Sequence, residues 1–172
     1  MKQHESIKLG PDVIVEPPPA GEVEDTTRAR RAVKIDFATR EARNRELGRA
    51  GEEWALEILR EGLREAGRFD LADKVRWVSD ELGDGLGYDI EAYDPDGQPL
   101  YVEVKTTNGP ISAPFLISAN EVRASNEIGN QYSIYRIFDF AGEPRAYVLR
   151  GPVEITCRLV PQVYRAMPSA AE

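Results

Sequence analysis

Two alternating segments joined by a tight turn constrain the fold of this chain more than any other feature. Residues 88–93 and 100–106 each alternate apolar and polar side chains, as a strand with one buried face does. Between them, Asp-Pro-Asp-Gly at 94–97 suits a three-residue hairpin loop, because proline fits the second position of a type I turn and Gly97 can adopt the left-handed conformation that follows. The sequence therefore predicts an antiparallel β-hairpin.

The loop length also predicts which residues face each other across the hairpin. Counting back from a three-residue loop pairs Asp94 with Gln98 and gives one apolar face, with the pairs Ala92–Leu100, Ile90–Val102 and Tyr88–Val104. The other face, which we call the charged face, pairs Asp89 with Glu103 and Glu91 with Tyr101 and also carries Lys105. A two-residue loop would mix the two faces, so the pattern favours the first register.

Two carboxylates thus lie opposite each other on the charged face. Opposed residues have Cβ atoms about 4.5–5.5 Å apart, and opposed like charges destabilise a sheet. Asp89 and Glu103 therefore call for a cation between them, and Mg²⁺ (or Mn²⁺) takes one or two carboxylates together with water and phosphate oxygens. Lys105 can orient or polarise the attacking water. This combination predicts metal-assisted hydrolysis of a phosphodiester.

Patterns on either side of the hairpin predict an α/β fold of the α+β type, with a mixed sheet flanked by helices. Apolar residues recur at helical spacing over 45–67, where Gly67 suits the C-terminal cap. Ser118 and Glu121 form a capping box that starts a second helix, which runs to 127. The strands before and after this helix should be parallel neighbours. Further segments predict a short helical turn at 69–74 and strands at 74–80, 132–138, 145–149 and 153–159.

The ends of the chain differ in composition from the segment between them. Residues 1–27 are acidic and proline-rich, which predicts a disordered leader, and residues 28–45 form a basic lead-in with weak helical character. The folded domain is expected over 46–165, followed by a tail at 166–172. The net charge is −8, yet residues 28–49 carry eight Lys or Arg against three acids. This arm can contact a polyanion, although charge alone slightly favours a solvated helical face.

Cysteine and histidine are nearly absent, which removes several kinds of chemistry. Cys157 is the single cysteine, so no internal disulfide can form, and its strand-like surroundings favour a small core residue. His4 is the single histidine and lies in the leader. Catalysis must then use carboxylates, Lys, Tyr or a metal held by oxygen ligands. The first residues show no apolar secretory signal and no stretch long enough to span a bilayer, so we expect a cytoplasmic protein.

The spacing of the hairpin residues is similar to a known signature. Thirteen residues separate Asp89 from Glu103-Val104-Lys105, as in the hairpin of PD-(D/E)XK nucleases, although Tyr88 stands where the motif has Pro. Together with this hairpin, further segments resemble the Protein NO VEIN C-terminal family, a domain of unknown function placed in that superfamily. The matching segments span roughly 28–165 and lie at 44–54, 75–79, 87–90, 101–107 and 115–121.

The resemblance implies a restriction-endonuclease-like core, which is a four-stranded mixed sheet with a helix on each side. It also implies that a helical Glu joins Asp89 and Glu103 at the metal; we assign this role to Glu52, with Glu53 as the alternative. The predicted function is a Mg²⁺-dependent nuclease, with endo- and exonucleolytic action both open, and its catalytic residues are Glu52, Asp89, Glu103 and Lys105. Nucleic acid, DNA in particular, is expected to contact Arg40, Arg43, Arg45, Arg49, Thr106 and Thr107.

Other interpretations of the same residues stay open. The alternative interpretation is a catalytically silent nuclease-fold module that binds nucleic acid or a protein partner. A homodimer and a larger complex are both open as assemblies. No membrane contact is expected. Tyr132 and Tyr135 can stack on bases, but packing is the favoured interpretation, and Trp54 and Trp77 are expected in the core.

Overall fold

The computed structural model describes residues 11–19, 37–162 and 166–167. Its strands are β1 (Arg76–Trp77), β2 (Ile90–Tyr93), β3 (Pro99–Thr106), β4 (Tyr132–Phe138) and β5 (Arg145–Arg150). Its helices are α1 (Phe37–Glu65), α2 (Phe69–Ala72), α3 (Val78–Leu82), α4 (Ala119–Ile128) and α5 (Val153–Thr156), with 3-10 turns at Pro11–Val13, Asp84–Leu86 and Gly129–Gln131. The other parts of the predicted leader, arm and tail, His4 included, lie outside the described residues. Among the described helices, none is long and apolar enough to cross a membrane.

The five strands form one mixed sheet in the order β1-β2-β3-β4-β5. β3 and β4 are parallel, and the other neighbouring pairs are antiparallel. Because α4 lies between β3 and β4 in the chain, the predicted parallel pair on either side of the second helix is confirmed. The mixed sheet flanked by helices is confirmed as well, with five strands where the resemblance implies four.

Helices cover both faces of the sheet. On the apolar face, α1 packs over β2 and β3 in a cluster that includes Trp54, Leu59, Ile90 and Val102. On the charged face, a smaller cluster is formed by Ala124, Tyr132, Ile134 and Val153, with Cys157 packed against it. α1 begins at Phe37, well before the predicted start at 45, and a left-handed Gly67 (φ 73°) follows its end as expected.

The hairpin has the predicted loop and register. The backbone N–H of Asp94 donates to the Gln98 carbonyl at 2.9 Å, and Gly97 has φ 89°. The paired residues are Ile90–Val102, Glu91–Tyr101, Ala92–Leu100 and Tyr93–Pro99.

The pairing stops at Ile90–Val102, two residues earlier than predicted. The backbone N–H of Asp89 donates to the Val102 carbonyl instead of facing Glu103 in the ladder. Tyr88 does not pair with Val104 either. Its ring lies 5.0 Å from that of Tyr101, which belongs to the charged face. A left-handed Gly87 (φ 80°) turns the chain just before these residues, and the side chains no longer alternate as they do in a strand.

Helices occupy much of two predicted strands. In 74–80 only Arg76–Trp77 is a strand, and α3 follows at once, with Asp80 and Glu81 in its first turn, where acidic residues favour a helix start. In 153–159 the apolar alternation is misleading. Val153 is fully buried but Ile155 is 81% exposed, because both belong to the short helix α5 after Pro152.

The described part of the leader is docked on the sheet. Val13 and Ile14 pack against the large core cluster. Ile14 forms a parallel bridge with Ala146 of β5, and the Val15 N–H donates to the Ala146 carbonyl at 2.8 Å. The sequence predicts disorder over 1–27, and residues 11–19 depart from it because two apolar side chains and an edge-strand hydrogen bond hold them.

Candidate active site at the end of the hairpin

Two carboxylates meet where β2 begins and β3 continues past it. Asp89 lies just before β2, and its Oδ2 accepts the backbone N–H of Val104 at 2.7 Å. Glu103 is on β3 and is only 4% exposed. Burial raises the pKa of Glu103, and the negative charge of Asp89 raises it further. The two predicted hairpin carboxylates are therefore neighbours, although they are not directly opposed in the ladder.

Glu52 lies on the side of α1 that faces this pair. Its Oε2 accepts hydrogen bonds from Trp77 Nε1 at 2.7 Å and from Ser79 Oγ at 2.6 Å. Burial raises the pKa of Asp89, and the charge of Glu52 is the next largest cause. Glu53 is exposed. Of the two alternatives on α1, Glu52 is thus the carboxylate that the structure brings next to Asp89.

Lys105 lies between two acidic side chains. Its Nζ is 2.7 Å from Glu103 Oε1 and 2.9 Å from Glu121 Oε2. The same Glu121 oxygen accepts the N–H of Ser118, and the predicted capping box of α4 is confirmed. The cluster therefore combines one ammonium group with four carboxylates, which belong to Glu52, Asp89, Glu103 and Glu121.

The donors in this cluster are carboxylate oxygens, which are the ligands that Mg²⁺ and Mn²⁺ prefer. The excess of carboxylates over ammonium groups, and the raised pKa values of Asp89 and Glu103, fit a hard cation. The complete predicted ligand set is not assembled, however. Within residues 11–19, 37–162 and 166–167, no group of three or more His, Cys, Asp or Glu side chains is arranged to hold a metal ion.

A cleft between α1 and α3 borders the site. It is lined by Arg45, Gly48, Arg49, Glu52, Ser79 and Asp80. Arg49 pairs with Asp80 at 2.6 Å, and its guanidinium carbon lies 4.6 Å from the centre of the Trp77 ring. Arg45 is exposed beside it. Arg43 is also exposed but does not line this cleft, and the side chain of Arg40 lies outside the described residues. Two of the four predicted arginines thus lie next to Glu52.

The two threonines predicted to contact phosphate differ in their surroundings. Thr106 Oγ1 is buried without a hydrogen-bond partner. It lies against Gly51 of α1, where an added Cβ would come within 1.8 Å of it. This geometry argues against a phosphate contact by Thr106, since its hydroxyl is covered by a helix. Thr107 is partly exposed, and its Oγ1 accepts the Gly109 N–H at 3.0 Å.

Two contacts of the site were missing from the sequence interpretation. Glu121 was recognised only through the capping box, and nothing in its spacing indicated Lys105. Tyr132 is fully buried, and its hydroxyl donates to the Gly87 carbonyl at 3.1 Å, two residues before Asp89. Burial and the nearby carboxylates raise the pKa of Tyr132. Both Tyr132 and Tyr135 are buried, which confirms packing over base stacking.

Comparison with known proteins identifies similar sequences. The family model described as Protein NO VEIN, C-terminal, matches residues 51–149, which include Glu52, Asp89, Glu103, Lys105 and Glu121. The chain is 30% identical over 96 residues to Protein NO VEIN of Arabidopsis thaliana, which is 56% of this chain and 3% of that protein. It is 29% identical over 120 residues to Protein NO VEIN-LIKE of the same plant, which is 64% of this chain and 17% of that protein. The chain thus spans a small part of either relative, and no solved structure matches it.

Proposed function

This chain belongs to the Protein NO VEIN C-terminal family, and we propose that it is a metal-dependent nuclease of the PD-(D/E)XK superfamily. The proposed reaction is hydrolysis of a phosphodiester bond in nucleic acid, with DNA as the expected substrate. The observation that supports it most is the neighbouring pair Asp89 and Glu103, in which burial and mutual repulsion raise the pKa of the Glu103 carboxyl. Two carboxylates that repel each other away from water favour the binding of a small, hard cation.

Asp89, Glu103 and Glu52 would hold this ion, which we expect to be Mg²⁺ or Mn²⁺. When bound, such an ion makes water a better nucleophile and offsets the charge that develops on the phosphorus oxygens. Water and substrate phosphate would complete its ligands, because Mg²⁺ typically uses one or two carboxylates in such sites. Glu52 is oriented for this role by the hydrogen bonds that it accepts from Trp77 and Ser79.

Lys105 is the positively charged side chain that lies beside the proposed metal ligand Glu103. Its ammonium is next to Glu103 and holds its protons at Nζ, from which it can donate to a phosphate oxygen or orient the attacking water. Its side chain is 17% exposed, so the ammonium acts where few water molecules screen its charge.

The cleft beside Glu52 offers a path for the nucleic-acid backbone. Arg45 and Arg49 lie on the same side of α1, four residues apart, and both are exposed. Phosphate contacts by such side chains position a nucleic acid without reading its sequence. We therefore expect substrate to cross α1 at these arginines and reach Asp89 past Glu52.

A second candidate function is a nuclease fold that binds nucleic acid or a protein partner without turnover. One observation favours it: Lys105 is shared by Glu103 and Glu121, while the described residues contain no assembled group of three metal ligands. In the much longer relatives, such a domain would act beside other parts of the protein. Metal binding separates the two candidates, because a silent module has no need for a cation at Asp89 and Glu103.

Cleavage assays with matched variants test the proposed function. Purified protein is incubated with plasmid DNA, single-stranded DNA and RNA, in Mg²⁺, in Mn²⁺ and in a chelator. We expect cleavage that needs the metal and that Asp89→Asn lowers by about 1,000-fold. Asp94→Asn is the control, since it changes an aspartate at the other end of the same hairpin. A parent without cleavage on all three substrates, or an Asp89→Asn variant as active as Asp94→Asn, refutes the proposal.

Calorimetry with Mn²⁺ adds a readout that is independent of turnover. Glu52→Gln should weaken Mn²⁺ binding more than Glu53→Gln, because Glu52 faces Asp89 and Glu53 is exposed. The reverse order would assign the helical ligand to Glu53. A protein that shows neither Mn²⁺ binding nor cleavage would instead favour the silent module.

A further inference from the structure

We propose that Glu121 positions Lys105 for the reaction, in addition to capping α4; this inference rests on the proposed function. Lys105 Nζ is 2.7 Å from Glu103 Oε1 and 2.9 Å from Glu121 Oε2. Glu103 is on the same strand as Lys105, whereas Glu121 is on α4. The ammonium is therefore held between the sheet and a helix by two carboxylates at nearly equal distance.

Glu121 is itself fixed by the backbone at the start of α4. Its Oε2 accepts the Ser118 N–H at 2.8 Å, and its own N–H donates to Ser118 Oγ at 3.2 Å. The oxygen that caps the helix is also the oxygen that accepts from Lys105. Because the capping box fixes the carboxylate, it can direct the flexible side chain of a lysine, which on its own has many accessible conformations.

The carboxylate of Glu121 changes how Lys105 interacts with Glu103. With Glu103 as its single partner, the ammonium would compete with a cation for the same carboxylate oxygens. Glu121 offers the ammonium a second acceptor, on the side of α4. The side chains of Lys105 and Glu121 are only 17% and 19% exposed. Lys105 can then stay beside Glu103 while an oxygen of Glu103 remains available. Glu121 thus acts through Lys105 and need not touch the substrate.

Two variants separate the capping role from the positioning role. Glu121→Gln retains the capping box, since Gln accepts the same backbone N–H, but removes the charge that holds Lys105. Ser118→Ala removes the capping hydroxyl and leaves Glu121 and Lys105 in place. With Mg²⁺ and a nucleic acid that the parent cleaves, kcat of Glu121→Gln should fall about 100-fold with little change in KM. Ser118→Ala should keep kcat within about twofold and lower the melting temperature by about 3 °C.

The inference is overturned if Glu121→Gln retains the parental kcat. It is also overturned if kcat and melting temperature fall together in both variants, as they would if Glu121 only capped the helix.

NMR of the lysine ammonium groups gives a readout that does not need cleavage. The chain has five lysines, so the ¹⁵Nζ signal of Lys105 can be assigned by its absence in Lys105→Arg. This signal should move in Glu121→Gln and stay in place in Ser118→Ala; an unmoved signal in Glu121→Gln overturns the inference. If the parent cleaves no nucleic acid, the proposed function fails, and the NMR result alone decides whether Glu121 holds Lys105.

Discussion

The two faces of the sheet are buried in different ways. On the apolar face, beneath α1, the fully buried side chains of β2, β3 and β4 include Ile90, Val102 and Ile137. On the charged face, Glu103 is 4% and Arg136 2% exposed, and Lys105 lies between Glu103 and Glu121 of α4. Apolar burial stabilises a fold, whereas buried charges need partners to avoid a large desolvation cost. The apolar face therefore contributes more to stability, and part of that stability offsets the cost of the buried charged groups on the other face.

Arg136 illustrates the cost on the charged face. It pairs in register with Lys105 across the parallel strands, so both belong to this face. Its Nη2 donates to the carbonyls of Ala113 and Pro114 at 3.1 and 3.3 Å, and its guanidinium carbon is 5.3 Å from the Phe115 ring centre. Its Nε is buried without a partner, and burial lowers the pKa of Arg136. The guanidinium thus holds the segment before α4 at some cost in desolvation.

A truncation on the apolar face should have the largest effect on stability. Ile137→Ala should lower the free energy of unfolding by about 2–5 kcal/mol, because it leaves a cavity in a fully buried site. Urea unfolding measures the change. Ile155→Ala is the control, since this side chain is 81% exposed and should change stability by less than about 0.5 kcal/mol. Equal losses of unfolding free energy in the two variants would mean that burial on the apolar face does not supply the stability of the fold.

Removal of the ammonium from the charged face should have a smaller effect on stability than the cavity at Ile137. Lys105→Met should lower the free energy of unfolding by about 2 kcal/mol, because it leaves the buried Glu103 and the cap residue Glu121 without their shared cation. Lys74→Met, at an exposed position, should leave stability unchanged. Chemical denaturation without metal measures both. A Lys105→Met variant more stable than the parent would mean that the ammonium is a net cost in this cluster.

How much of the fold the sequence could predict depends on whether an element is determined locally. The hairpin register follows from a strict alternation and a turn of defined length, and both are local. The capping box and the left-handed Gly97 are local as well. In contrast, Val153 and Ile155 alternate like strand residues but lie on a short helix, because α5 is decided by packing against α4. Local patterns that agree with the fold are predictable, whereas short segments take the structure that their neighbours impose.

The candidate site was predictable to a similar extent. Asp89, Glu103 and Lys105 could be grouped because they share one hairpin, and Glu52 required the resemblance. The partnership of Lys105 with Glu121 depends on how α4 crosses back over the sheet, which no spacing in the sequence encodes. The buried surroundings of Thr106 could not be predicted, because its neighbour Gly51 lies on a helix distant in sequence. A glycine inside a helix is a weak signal of such a close approach.

The pH dependence of stability should belong to the charged face alone. Burial, followed by the charge of Glu52, raises the pKa of Asp89 to about 7, and burial with the charge of Asp89 raises the pKa of Glu103 as well. A carboxyl with a raised pKa binds its proton more tightly in the folded state. The bound proton therefore stabilises the folded state. This stabilisation is complete below the unfolded pKa of about 4 and is lost as the pH rises through the folded pKa.

The melting temperature of the metal-free protein should therefore fall by several degrees between about pH 5 and about pH 8, as a scanning calorimeter can measure. Asp89→Asn should flatten this dependence, because it removes one titrating carboxyl and the charge that repels Glu103. Ile137→Ala should lower the midpoint at every pH and leave the slope as it is, since it changes no charge. A melting temperature that rises over this range, or a slope altered by Ile137→Ala and not by Asp89→Asn, would mean that the carboxylates of the charged face do not repel each other in the folded protein.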